Sequence, residues 1–210
     1  PDGLDPVSSA LLACPLGVAL QAVQVTAQVK AGETVVVTGA GGGLGSHAVQ
    51  VAAALGAHVM AVSSSPEKEA SLLELGASEV LVGGGLDFAE IVMALTEDKG
   101  AEVVIDAVGS ALYPSILRSL AQYGRLVLLG EIVGENVNLN LVDVIFRDAT
   151  VLGTSGVSRA AVKQAASMVL DGNIQPVVDL ELPLENAGEG YRLITERKPT
   201  GRIVLLPNDR

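Results

Sequence analysis

The chain has 210 residues, 49% of them hydrophobic, enough for one domain with a sizeable core. Its formal net charge of −11 argues against nucleic acid or an anionic membrane as a partner. A single cysteine excludes an intrachain disulfide framework and fits a reducing, cytoplasmic compartment, and the longest apolar stretches, about a dozen residues, are too short to span a membrane.

The apolar residues are mostly Ala, Val and Leu, with two Phe and no Trp, which suits helices packed closely on a buried parallel sheet. The chain opens on Pro1 with no signal pattern, so a preceding segment is expected. Residues 1–6 read as irregular. Val7 to Val29 reads as helical in pieces, and Pro15 and Gly17 should break it into a short helix and a longer one from about Val18 to Val25. Cys14 stands just before that break. After a turn at Lys30–Glu33, Thr34 to Val37 is a strand that runs into a glycine-dense turn, and Ser46 to Leu55 is a helix ended by Gly56.

His58 to Val62 is the second strand. Ser63, Ser64 and Ser65 form a cap and turn, and Pro66 opens a helix that reaches Leu75. A short third strand ends at Val82, Gly83 to Gly85 read as a loop, and Asp87 caps a helix to about Thr96. Ala101 to Asp106 is a fourth strand, Tyr113 to Leu120 a helix, and Gly124 to Gly130 a fifth strand. Apolar residues cluster from Leu139 to Phe146. Thr150 to Leu152 is a sixth strand, and Arg159 to Leu170 a long helix stopped by Asp171 and Gly172. Beyond it come an extended stretch from Ile174 to Asp179, a helix from Leu184 to Thr195 and a strand from Gly201 to Leu206.

Six strands with helical crossovers predict an α/β fold: a Rossmann-type, doubly wound, six-stranded parallel sheet flanked by helices. A C-terminal strand–helix–strand extension follows. The expected organisation is entry helices over 1–32, a nucleotide-binding domain over 33–172 and an extension over 173–210. Ligands of such sheets bind outside the carboxyl ends of the strands. Here those ends are Gly39–Gly45, Ser63–Ser65, Asp106–Gly109, Leu129–Glu131 and Gly153–Ser155, all rich in Gly, Ser or Asp.

The segment ETVVVTGAGGGLGSHAVQVAAAL, residues 33–55, carries the sharpest signal. A strand, a Gly-rich turn and a helix grip phosphate, because glycine permits close backbone approach and the helix N-terminus offers unpaired N–H groups. The spacing G-x-G-x-x-G fails at Leu44. Two others fit: G-x-x-G-x-x-G at Gly39, Gly42 and Gly45, and T-G-x-x-x-G-x-G at Thr38, Gly39, Gly43 and Gly45. Gly39, Gly42, Gly43, Leu44 and Gly45 are therefore candidate phosphate contacts.

With these stretches in hand, the chain resembles the cofactor-binding half of the medium-chain, alcohol-dehydrogenase-like and quinone-oxidoreductase-like dehydrogenases. The matching stretches are Leu12–Cys14, residues 29–57, Glu67-Lys68, ELGASEVL at 74–81, Asp106–Gly109, LAQYGRLVLLG at 120–130, Leu152–Ser155 and PTGRIVLLP at 199–207. The resemblance spans nearly the whole chain. It implies a two-domain oxidoreductase with a nicotinamide cofactor in the interdomain cleft, and an N-terminal catalytic domain preceding this chain on which the tail packs. Short-chain dehydrogenases share the second glycine spacing but work with Tyr-x-x-x-Lys. The three tyrosines here are followed four positions later by Leu117, Val127 and Thr195, so that alternative loses its catalytic pair.

An NAD site wants an acid at the end of the second strand. This chain has serines there, and Lys68 lies nearby. Ser63, Ser64 and Lys68 are therefore expected to receive a 2′-phosphate, favouring NADP over NAD. The resemblance adds Val108, Gly109, Leu129, Gly130, Thr154 and Ser155 as contacts of the ribose and nicotinamide. It also aligns Cys14 with a catalytic zinc ligand of zinc-dependent members. With one cysteine, and with His47 and His58 reading as local helix and surface residues, a zinc site is not assembled from this sequence. Val18, where zinc enzymes often carry threonine, leans toward the zinc-free quinone- or enoyl-reductase branch. The expected substrate is a small carbonyl, enone or quinone. A zinc alcohol dehydrogenase using Cys14 and a non-catalytic nucleotide-binding module remain the alternatives. The resemblance also implies a homodimer paired through the sheet edge near Thr150–Leu152.

Overall fold

A computed structural model describes residues 3–83 and 87–207. The expected loop at Gly83–Gly85 falls mostly outside them. The six long-range strands are β1 (Thr34–Thr38), β2 (His58–Ser63), β3 (Glu79–Val82), β4 (Ala101–Asp106), β5 (Leu120–Leu128) and β6 (Thr150–Gly153). They form one parallel sheet in the order β3-β2-β1-β4-β5-β6. The chain starts in the middle, winds outward to one edge, then returns to build the other half. The strand order reverses between β1 and β4, where Thr38 stands opposite Asp106. At such a reversal the two neighbouring crossovers lie on opposite faces and leave a crevice at the carboxyl ends.

Both faces of the central strands are buried, as the unbroken valine run of β1 requires. Val35 and Val37 point to one face, with Val59, Val103 and Ile105, and meet Leu16, Leu20, Val51 and Ala165 from the entry helices and from α3 (Gly45–Ala54) and α8 (Arg159–Leu170). Val36 points to the other, with Met60, Val104 and Leu126, against Phe88 and Val92 of α5 (Phe88–Leu95) and Ile116 of α6 (Tyr113–Arg118). This is strand periodicity with an apolar partner on each side. Each fully buried Leu or Ile contributes about 2 kcal/mol of transfer free energy. Small residues of α3, such as Ala48 and Ala52 at 0% exposure, let it lie close on the sheet.

Several boundaries differ from the sequence expectation. The break in the entry helices falls at Cys14 (φ −126°, ψ 108°), one residue before Pro15, because the proline ring pushes its predecessor out of the α region. α1 (Pro6–Ala10) precedes it. After it the chain winds through α2 (Val18–Leu20), flanked by wider i→i+5 turns such as Ala27 N–H to Ala22 O. α6 stops at Arg118 rather than Leu120. β5 then begins at Leu120 and runs through Gly124, with Tyr123 at φ +61° and a register shift opposite Ala101–Val103. The remaining short helices are α4 (Glu69–Glu74) and α7 (Leu141–Ile145).

The tail is a unit of its own. β7 (Val178–Pro183) and β8 (Arg202–Leu206) pair in parallel, with α9 (Ala187–Thr195) connecting them. The strand lies four residues later than the expected extended stretch at Ile174–Asp179. Its anchor on the main sheet is a bridge between Gly201 and Gly42 of the glycine-rich turn. Among the described residues, no helix is long and apolar enough to cross a membrane.

Candidate cofactor site

The turn from Thr38 to Gly45 is built by backbone proximity. Gly39 takes φ +60°, and a Cβ on Gly45 would overlap the Gly39 carbonyl, so two of the five glycines are required by the turn itself. Gly42 N–H closes it onto Gly39 O at 2.9 Å. No side chain caps α3 at Leu44; Ser46 N–H donates to Gly42 O at 3.0 Å, and the positive end of the helix still faces the turn. Gly41 and Gly43 serve a different purpose. A Cβ on Gly41 would lie 2.5 Å from Lys68 Cδ, and one on Gly43 would overlap the Nε and Cδ of Arg202. Both glycines make room for long basic side chains that arrive from elsewhere in the chain.

Arg202 comes from the start of β8, in the stretch PTGRIVLLP, and was not among the expected site residues. Its side chain lies across Gly43, its Nε is buried without a hydrogen-bond partner, and its Nη2 lies 3.9 Å from Cys14 Sγ. An unsatisfied guanidinium nitrogen beside a phosphate-type turn fits an anionic ligand. The one sequence signal was the basic residue after Gly201, which has no meaning until the tail is placed.

His47 keeps the local helix role expected of it, in the first turn of α3, but it is not a surface residue: it is 0% exposed. Its Nε2 accepts from Val177 N–H at 3.0 Å, so the proton sits on Nδ1, which donates to Gly43 O at 2.8 Å. Burial lowers its pKa to about 4, aided by the charge of Arg202 and opposed by the Gly43 carbonyl. The ring is thus a neutral tie between the turn and the tail. His58 is exposed, as expected.

At the end of β2, Ser63 is buried and committed to its own turn: its Oγ accepts from Ser65 N–H at 3.2 Å and donates to Ser65 O at 3.3 Å. Ser64 is exposed. Lys68, expected to face a 2′-phosphate, has other partners. Its Nζ donates to Arg197 O at 3.0 Å and Pro199 O at 2.5 Å, and the residue is 6% exposed.

Across the strand-order reversal, Asp106 is fully buried. It accepts from Thr38 Oγ1 at 2.5 Å, Val108 N–H at 3.1 Å and Gly109 N–H at 3.1 Å. Burial raises its pKa, and these donors oppose the rise. The carboxylate therefore organises the 106–109 turn. Val108 lies against Gly39, linking that turn to the glycine-rich one.

Beyond it opens a groove of about 520 Å³. Gly109, Leu129, Gly130, Thr154 and Ser155 all line it, so the structure brings five expected contacts together, with Ser110, Tyr113 and Glu131 added. Glu131 is the organiser that the sequence did not reveal. Its carboxylate accepts from Ser110 N–H (2.8 Å), Ser110 Oγ (2.7 Å), Val133 N–H (3.0 Å) and Gly134 N–H (2.8 Å). Those donors, led by Gly134, hold its pKa down to about 2. It thereby fixes the loops after β4 and β5 against each other.

A family described as zinc-binding dehydrogenase matches residues 43–171, more than half of the chain and the segment that holds this groove. The chain belongs to that family. It corresponds to the cofactor-binding part of the medium-chain dehydrogenases/reductases. The acryloyl-coenzyme A reductase of Sulfurisphaera tokodaii is 32% identical over 208 residues, 99% of this chain and 60% of the relative. The crystal structure of AibC superposes with a TM-score of 0.93 at 37% identity, over 100% of this chain and 58% of that one. An NAD-dependent alcohol dehydrogenase superposes at 0.90 with 33% identity, over 98% and 60%. The chain thus spans about 60% of the length of relatives it matches.

The family's name raises the question of zinc. Among the described residues, no three His, Cys, Asp or Glu side chains converge to hold a metal. Cys14 is exposed and has the Arg202 guanidinium beside its sulfur, and a fixed cation there opposes a second one. Among the described residues, the donors do not by themselves assemble a zinc site.

Proposed function

We propose that this chain forms the dinucleotide half of an NADP-dependent oxidoreductase that delivers hydride to a conjugated carbonyl compound. The supporting observation is the continuous path from the glycine-rich turn, past Val108, into the groove after β4, β5 and β6. The pyrophosphate would meet the Gly39–Gly45 turn, the N-terminus of α3 and the Arg202 guanidinium. The nicotinamide half would lie along Gly109, Leu129, Gly130, Thr154 and Ser155. The cofactor supplies the hydride; this chain's residues hold and orient it. The likeness to acryloyl-coenzyme A reductase supports an enoyl-type substrate, in which hydride adds to the β-carbon; enones and quinones share that electrophilic pattern.

The preference for NADP rests on β2 ending in serines, with Ser64 exposed and no Asp or Glu between His58 and Pro66; the first acid is Glu67, in the following turn. Titration with NADPH and NADH, followed by fluorescence, tests both parts. Tighter NADPH binding is expected, and Ser64→Asp should reverse the order. Equal affinities in the unaltered protein would remove the preference, and no binding of either would remove the function.

We also propose pairing of two copies through the β6 edge. Among the described residues, β6 is the edge strand beyond β5. Val151 of β6 is exposed, and so are Leu141, Ile145 and Phe146 of the α7 segment that precedes it in the chain.

A further inference from the structure

We propose that Lys68 is a positioning residue, a latch that ties the 197–202 segment of the tail across the glycine-rich turn and so sets Arg202 beside Gly43. This rests on the reading that phosphate binds at that turn.

Five hydrogen bonds fix the segment, two of them to Val177 and Asp179 within the tail and three to Gly41 and Lys68. Gly201 N–H donates to Gly41 O at 3.2 Å and Arg202 N–H to Val177 O at 2.9 Å. Thr200 N–H donates to Asp179 Oδ1 at 3.0 Å. Lys68 Nζ alone reaches both Arg197 O and Pro199 O, so it grips the segment where it leaves α9. Arg197 sits at φ +57°, a left-handed conformation that usually calls for glycine after a helix. A charge-assisted bond to its carbonyl offsets that strain. Gly41 leaves the space the lysine stem crosses. Two of the three ammonium donors are committed to carbonyls in a buried setting. To neutralise a 2′-phosphate directly, the ammonium would have to abandon both. The consequence is that Lys68 acts on pyrophosphate binding through Arg202 and does not discriminate between the two dinucleotides.

The test uses the full chain with Lys68→Met, and with Lys68→Gln as a second variant that keeps two N–H donors but no charge, on a shorter stem. Without nucleotide, hydrogen exchange at Thr200, Gly201 and Arg202 should quicken on the order of tenfold in Lys68→Met and less in Lys68→Gln, while β1 and β4 stay protected. Affinities for NADPH and NADH should then fall by the same factor. Unchanged exchange at 200–202, or a loss confined to NADPH, would overturn the latch and restore a counter-ion role. The exchange measurement stands apart from the cofactor reading: if the unaltered chain binds neither dinucleotide, the proposed function fails while the exchange result still decides the latch.

Discussion

His47 gives this fold a pH dependence whose size follows from its burial. The ring is neutral in the folded chain, with Nδ1 donating to Gly43 O and Nε2 accepting from Val177 N–H. Its pKa falls from the ordinary 6.5 to about 4. Above pH 6.5 the ring is neutral whether the chain is folded or not, and His47 adds no pH dependence. Below 6.5 the unfolded chain takes up a proton that the folded chain refuses until about pH 4. The unfolded state then binds more protons, so stability falls as pH falls through this window. At about 1.4 kcal/mol per pH unit, the displacement amounts to about 3 kcal/mol between pH 6.5 and 4. Protonation also turns Nε2 from acceptor to donor, facing the Val177 N–H, so the tail is the part first released. The assay is urea unfolding at intervals from pH 7.5 to 4.5, with His47→Gln alongside. Asp106, whose pKa is raised, acts with the opposite sign, so the comparison with the variant isolates the histidine. The unaltered chain should lose stability across the window, and the variant, already weaker at pH 7.5, should lose markedly less. Parallel curves would refute the assignment.

Three further outcomes follow from the site. Gly45→Ala should destabilise the fold by about 2 kcal/mol and abolish dinucleotide binding, because the new Cβ meets the Gly39 backbone rather than a movable side chain; a thermal shift and a titration check both. Glu131→Gln should leave global stability nearly unchanged while amides of Ser110, Val133 and Gly134 exchange faster and dinucleotide affinity drops several-fold, since a neutral amide cannot serve all four donors. Light scattering should give a mass near twice 21.4 kDa, and Phe146→Asp should halve it; a monomeric unaltered chain would rule out the edge pairing.

The layout of the sheet was legible because it depends on local chemistry. A valine run buried on both faces, glycines closing helices, and Pro66 or Asp87 opening them are all written within a few residues of where they act. One error came where a neighbour outvoted local signals. Gly124 reads as the start of a strand, yet Leu120 is already paired with Ala101 of β4. Val178–Leu182 alternates apolar and polar residues, a strand pattern that the expected extended stretch at Ile174–Asp179 cut short, and it pairs with β8 as β7.

The sequence by itself determined a glycine-rich turn, its helix, and the ends of β4, β5 and β6 that line one groove, because a parallel sheet puts every carboxyl end on the same side. Only the tertiary structure decided what else meets that turn. Lys68, His47 and Arg202 are scattered in sequence, and nothing in their immediate neighbours marks them as partners. Their contacts span separations such as Lys68 to Pro199 and His47 to Val177. Such contacts exist because the tail returns across Gly41–Gly43, where the missing Cβ atoms leave space for it. Two of the five glycines that looked like room for a ligand are room for the chain's own basic side chains.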